Sequence, residues 1–331
     1  MHSKSIRELS WLAYPDLNEN QCSNLKMQQK QKKYRSKFVF RTMMHYPYFR
    51  QFQRGINAPF LQLLLQQDAR FLEKTFRPYL HIGNGIANRT KLVIGHYRFI
   101  SECLPTQTGL AIYNTTQGIE VSRFTVGEDE YRVTLSYFAS NHKEGDLCMK
   151  LLDPNGNIFY SITFSVFDDP IKGRTITVGS LQGPKSTPEI NEQIKYFTKQ
   201  HFGQRPKDLM VKILTIIANV WDVKLLLLVT NEGHIYSSKR YADDKIKTNY
   251  NCHWESLGAT KYSKHLYQLD LLEVRKLPED IKRSKRAMYR KRYEWLDVLM
   301  QELGEKLALK VTINTNTNTN TNTNTNTNTI H

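Results

Sequence analysis

No stretch of this sequence is long and clean enough to span a bilayer. The most apolar run, Ile213 to Val229, is broken by Asp222 and Lys224, well short of the roughly 20 apolar residues a crossing helix needs. Cysteine is scarce. Cys22, Cys103, Cys148 and Cys252 are scattered, with no CxxC pair and no zinc or haem spacing. Cys252-His253 has no further ligand spacing beside it, so no metal site is expected. Met1 to Ser10 holds no apolar h-region, so no secretory signal is expected. The expectation is a reduced cytoplasmic protein with structural thiols, able to reach the inner membrane surface if its partner is a lipid. Acidic residues are also few, 31 against 47 Lys and Arg, a net charge of +16. Such an excess points to an anionic partner without naming it. Hydrophobic residues at 40% and charged residues at 24% exclude wholesale disorder.

The charge is concentrated. Lys26 to Arg50 holds eight basic residues and no acidic one. Arg275 to Arg292 holds nine against Glu279 and Asp280. These two segments account for all but one of the net positive charges. Both read as helices. In the second, Met288, Trp295, Leu296, Leu299 and Leu303 make one apolar face, with Ser284 as the predicted N-cap. Its cations then stand at the end of the helix that favours anions. A bound phosphate would offset that, which makes Arg286, Arg290 and Lys291 candidate anion-binding residues; the structural alternative is a solvated basic face. In the first, Tyr34, Phe38 and Phe40 interleave with cations, a pattern suited to nucleic acid or a membrane surface. The anionic partner is therefore a phosphate-bearing small molecule, a lipid headgroup or RNA.

Along the chain, the first third reads as helix. Short helices are predicted from Pro59 and, with Asp68 as cap, over 68–76. Ala87 to Ile100 fits a helix, although Leu92, Ile94, Tyr97 and Phe99 also suit a strand. From Thr108 a six-strand antiparallel meander is predicted: 108–114, 119–126, 130–138, 146–152, 158–166 and 175–181. Asp153-Pro-Asn-Gly156 and Asp168-Asp-Pro170 mark turns. Thr187-Pro188 opens a helix to His201, and Arg205-Pro206-Lys207 a second to Trp221. A buried strand over 224–230, a short helix over 249–257 and a strand over 261–269 complete an α+β protein with one mixed sheet. The expected organisation is a basic segment 1–57, a helical region 58–104, an α+β domain 105–310 and a tail 311–331. The tail is an Asn-Thr repeat from Asn314 to Thr329 that can bury nothing and is expected to be disordered.

Several blocks in order resemble the VirK/YbjX family: Val178-Gly-Ser-Leu-Gln-Gly-Pro184, His201-Phe-Gly-Gln-Arg-Pro-Lys-Asp-Leu209, Val229-Thr-Asn-Glu-Gly-His-Ile-Tyr236, Trp254-Glu-Ser-Leu-Gly-Ala259 and Lys285 to Tyr293. Arg77-Pro-Tyr-Leu-His-Ile82 and His96-Tyr-Arg-Phe-Ile100 resemble its N-terminal blocks. The resemblance implies a Gram-negative bacterial context linked to virulence and the cell envelope, and no particular reaction. The element order also resembles the GNAT-type acetyltransferase fold. That resemblance implies acyl-CoA as cofactor, its pyrophosphate held at a helix start, here Gly203, Arg205 and Lys207. The sequence departs from that fold's loop in lacking its glycines, in Pro206, and in the additional helix over 188–201.

Two more constellations carry chemistry. Asn231-Glu-Gly-His-Ile-Tyr236 follows a buried strand, where ligands gather in α/β sheets. His234 is a candidate base and Tyr236 a candidate acid, although no third orienting residue is legible; the structural alternative is a turn with a packed histidine. In 178–184, Gly179 signals a bulge or a close approach, and Gln182 could hydrogen-bond a ligand there. The spacing is not that of a G-x-S-x-G elbow.

Overall fold

Capping chemistry opens the chain. The computed structural model describes residues 4–15, 25–114, 117–238, 241 and 248–310. Cys22 and the Asn-Thr repeat lie outside the described residues. Ser5 and Glu8 form a reciprocal capping box that starts α1 (Ile6–Ala13). α2 (Leu25–Met44), α3 (Tyr46–Gly55) and α4 (Ala58–Gln67) follow. Asp68 accepts from the Arg70 N–H, as its predicted cap role requires, and starts a 3-10 helix over Ala69–Phe76. α5 (Ile86–Cys103) takes the helical side of the alternative left by the sequence. Val93, Tyr97 and Ile100 on one face are buried.

The segment predicted as the first strand is instead a helix, α6 (Thr106–Asn114). Its Thr and Ile content suggests a strand, but its buried residues are Gly109, Ile112 and Tyr113, a helical spacing. The absence of a side chain at Gly109 lets α6 close on α5; a Cβ there would fall 3.2 Å from the Ile100 carbonyl oxygen. The meander therefore has five strands: β1 (Ile119–Val126), β2 (Asp129–Ser136), β3 (Leu147–Leu152), β4 (Ile158–Asp169) and β5 (Gly173–Gln182).

From β5 the chain crosses over through α7 (Pro188–Gln200), capped by Thr187 as predicted, and α8 (Pro206–Val220). It re-enters the sheet as β6 (Leu225–Val229), buried along its whole length. After α9 (Tyr250–Ser256) come β7 (Thr260–Lys261) and β8 (Leu266–Leu269). The single strand predicted over 261–269 is thus a hairpin. The Tyr262 and Ser263 amides both donate to the Leu266 carbonyl and turn the chain back. The basic helix α10 (Arg286–Lys306) starts after a 3-10 turn over Arg283–Lys285. Lys285 occupies its N-cap with no side-chain hydrogen bond, so the predicted Ser284 cap is displaced by one residue into that turn.

The eight strands form one sheet in the order β1-β2-β3-β4-β5-β6-β8-β7. Every pairing is antiparallel except β5 with β6. The class is α+β. A continuous core runs from Leu9 to Leu307. The indoles of Trp221 and Trp254, both fully buried, satisfy their N–H groups on the Leu307 and Val229 carbonyls at 3.0 and 2.8 Å. The second of these bonds fixes α9 beside the carboxyl end of β6.

Candidate active site

The parallel pair defines the site. β5 and β6 pair from Thr175–Leu225 to Val178–Leu228 and then part. β5 runs on to Gln182 while β6 ends at Val229. The parting coincides with a bulge: Phe164 faces Val178 and Thr163 faces Ser180, leaving Gly179 as the extra residue. Gly179 has a steric reason to be glycine. A Cβ there would fall 1.9 Å from the Glu144 carbonyl oxygen. The loop between β2 and β3 is thereby pressed into the gap, and it brings Glu144 to the end of β5.

Glu144 joins the predicted residues. Its carboxylate accepts from Gln182 Nε2 at 3.0 Å on Oε2 and 3.3 Å on Oε1. His234 Nε2 stands 3.3 Å from Oε1, an ion-pair distance, with both side chains all but buried. The contact is off the line of a hydrogen bond, and among the described residues Nε2 has no hydrogen-bond partner. His234 Nδ1 accepts the peptide N–H of Tyr236 at 3.2 Å. With Nδ1 accepting, Nε2 is the ring nitrogen that carries the proton.

The surroundings hold this geometry. Tyr250, from α9, stacks on the His234 ring at 5.4 Å and an interplanar angle of 15°. Its hydroxyl donates to the Leu181 carbonyl at 3.2 Å, tying α9 to the end of β5. Asn231 and Asn251 exchange amide-to-side-chain hydrogen bonds at 2.9 and 3.1 Å, locking the His234 loop to α9. The Tyr236 ring lies 5.6 Å from His234. Burial, and then the Glu144 charge, push its phenol up to about 12, so it stays protonated at neutral pH. Lys143 Nζ lies 5.5 Å above the Tyr236 ring.

The fit at Gly179 has a measurable cost. Gly179→Ala should destabilise the protein by about 1–3 kcal/mol, because backbone atoms must move. Gly304→Ala, in α10 with nothing near its missing Cβ, should instead stabilise by about 0.5–1 kcal/mol. Equal urea midpoints for the two variants would contradict the close approach.

The remaining predicted residues lie at the start of α8. Arg205 is the N-cap residue and pairs with Asp208 at 2.7 Å. Lys207 is half-buried beside it. His253, buried in α9, has neither ring nitrogen hydrogen-bonded among the described residues, and its Nδ1 is 3.8 Å from Asp208 Oδ1. Burial, then the nearby Lys207, pull its pKa down to about 4. α9 thus touches both places, the α8 start through His253 and the Glu144 site through Tyr250. Gly203 faces elsewhere. It adopts φ +71°, and a Cβ there would meet Arg292 at 3.3 Å. Arg286 and Arg290 line a groove of about 680 Å³ floored by Ile281, Tyr289 and Tyr293; Lys291 is exposed on the same helix. Gln182 and His234 are therefore brought together, with Tyr236 beside them, while Gly203 and the α10 cations form a separate neighbourhood.

Glu144 was not legible in the sequence. It sits in a polar connection, and only the bulge at Gly179 brings it to Gln182. The same loop carries a second buried cluster. Asp146 Oδ1 accepts from Lys74 Nζ at 2.7 Å and from the Tyr97 hydroxyl at 3.0 Å, and its Oδ2 accepts from Tyr79.

The comparisons with known proteins give the family. The family model described as "Protein of unknown function (DUF535)" matches residues 27–305. The chain belongs to this family, that of the VirK/YbjX proteins. It is 29% identical over 306 residues to the "Uncharacterized protein YbjX" of Escherichia coli K12, covering 91% of each chain. Two uncharacterized proteins of Haemophilus influenzae are 31% and 30% identical over 175 and 185 residues. These alignments span 53% and 54% of this chain, and 57% and 59% of the relatives. No solved structure matches the chain. Among the described residues no helix is long and apolar enough to cross a membrane.

Proposed function

We propose that this protein is an acyl-CoA-dependent acyltransferase whose reacting groups meet where β5 and β6 part. The observation that carries the reading is the Gln182–Glu144–His234 cluster at the carboxyl ends of the one parallel strand pair, where α/β sheets hold ligands. The strand order supports it by analogy. A meander, a helical crossover to a parallel strand, then a helix and an inverted final pair match the element order of GNAT-type enzymes.

In this reading Glu144 takes the proton. His234 was the candidate base from sequence, but its Nδ1 is occupied by a peptide N–H and its Nε2, which carries the ring proton, stands 3.3 Å from Glu144. Its role is to orient the carboxylate, together with Gln182. The acceptor nucleophile attacks the thioester carbonyl and forms the new acyl bond as the C–S bond breaks. The nucleophile's proton passes to Glu144, and Tyr236, protonated at neutral pH, donates to the departing thiolate. The cofactor's phosphates would lie at the start of α8, where the positive end of the helix dipole, Arg205 and Lys207 supply positive potential. A role in envelope or virulence physiology fits an acylating enzyme that modifies an envelope component.

Thermal-shift titration with CoA thioesters tests the ligand. CoA or a short acyl-CoA should raise the melting midpoint by mass action. Arg205→Ala with Lys207→Ala should abolish the rise and leave the unliganded midpoint unchanged. An undiminished rise in that double variant would remove the α8 start from the reading.

A further inference from the structure

The end of α2 has two apolar faces. Phe38 and Thr42 point inward and are fully buried. Phe40, Met43 and Met44, at helical spacing on the opposite side, are exposed at 63%, 66% and 61%. Tyr46, the first residue of α3, is exposed at 47%. Isolated exposed apolar residues need no explanation, but four large ones within seven positions form a patch.

Cations flank this patch on both sides. A cleft between α1 and α2 is lined by Arg7, Lys32 and Arg35, with Trp11, Phe40 and Met43. The Arg35 guanidinium lies 3.6 Å over the Trp11 ring. Beyond Tyr46, a second cleft of about 690 Å³ is lined by Arg50 and Arg54, one turn apart on α3, and by Arg98 of α5, over Ile94. Among the described residues Arg98 makes one ion-pair contact, long and exposed, at 3.7 Å from Glu102. From Lys26 to Gln67 the sequence contains no Asp or Glu.

We propose that this corner is a docking surface for an anionic phospholipid membrane. Phe40, Met43, Met44 and Tyr46 enter the interfacial layer, and Arg50, Arg54 and Arg98 hold lipid phosphates beside them. Apolar insertion beside a field of cations is the chemistry by which peripheral segments bind anionic bilayers. Nucleic-acid bases stack on aromatic rings, but they leave the exposed Met43 and Met44 side chains in water. A protein partner would need acidic groups matched to cations on both flanks. The inference does not depend on the acyltransferase reading, since none of these residues belongs to the Glu144 site.

Co-sedimentation of the full chain with vesicles tests it. Binding should be strong to vesicles of phosphatidylcholine with one-third phosphatidylglycerol, and weak to phosphatidylcholine alone. It should fall as salt is raised. Phe40→Ser, Met43→Ser and Met44→Ser together should lower the partition coefficient at least about tenfold. Arg50→Gln with Arg54→Gln should do likewise and flatten the salt dependence. The triple variant changes exposed side chains, Arg54 is exposed and Arg50 half-buried, and circular dichroism checks that each variant is folded. Equal binding to the two vesicle types, or wild-type binding by the triple serine variant, overturns the proposal. So does a wild-type dimer that the triple serine variant converts to monomer, or binding to RNA but not to vesicles that depends on Arg50 and Arg54.

Discussion

Lys74→Met should cost about 3–5 kcal/mol of folding stability, the range for removing one partner of a buried ion pair. Lys74 and Asp146 are fully buried at 2.7 Å from one another. Burial pulls the lysine below its ordinary value, and Asp146 only partly restores it. Burial would also raise the Asp146 carboxyl, but Lys74 and the hydrogen bonds from Lys74 and Tyr79 outweigh it and hold it ionised. Without Lys74 the carboxylate keeps the tyrosines and loses its counter-charge. Lys74→Met with Asp146→Asn should therefore lose less than the sum of the two single variants. Urea unfolding measures all three; a loss below about 1 kcal/mol for Lys74→Met would contradict a desolvated pair. The consequence reaches the site. Asp146 is two residues from Glu144, and at the intervening Gly145 a Cβ would fall 2.6 Å from the Phe164 carbonyl oxygen. The buried pair and two close approaches clamp the loop that carries Glu144.

Acid should weaken the fold well before the carboxylates titrate. His96, His201 and His253 are buried, and burial pulls each imidazole from 6.5 to about 4. Neighbouring Arg292 adds to the effect at His201, and Lys207 at His253. The folded state keeps these rings neutral while the unfolded chain protonates them near 6.5, so acid favours unfolding. Their contribution is fully present above pH 6.5 and is lost as the pH falls toward 4. Between pH 7 and pH 5 each ring should remove about 2 kcal/mol. The Asp146 pair does not offset this, since its carboxyl lies below its ordinary value and titrates only at lower pH. His253→Asn should flatten the dependence by close to one ring's share. Stability unchanged from pH 7 to pH 5 would contradict neutral burial.

The sheet was largely legible because its signals are local. Asp153-Pro-Asn-Gly156 closes the β3–β4 hairpin, and Thr187-Pro188 and Arg205-Pro206 start α7 and α8 where the turn chemistry says. The misreadings came from contacts between distant segments. Thr106–Asn114 has a strand's composition, and what makes it a helix is its burial against Phe60 and α5. The strand read over 261–269 folds into a hairpin at Ser263, a turn with neither Gly nor Pro to mark it. Half of the site followed from the position of His234 after a buried strand and of Gln182 at the end of another. Glu144 could not follow, because its place depends on the β2–β3 loop fitting against a glycine 35 residues further on.

The central claim is that Glu144, oriented by His234 and Gln182, is the proton acceptor for acyl transfer from CoA. Turnover of a CoA thioester, followed as thiol release and compared between wild type and Glu144→Gln, tests it most directly. Gln keeps the shape and hydrogen-bonding reach of the side chain but cannot accept a proton at neutral pH. The account predicts thiol release by the wild type. It predicts a loss of about 10²–10⁴-fold in Glu144→Gln, with the CoA-induced thermal shift retained. Equal turnover by the two proteins, or no thioester that either binds or is consumed, would contradict it.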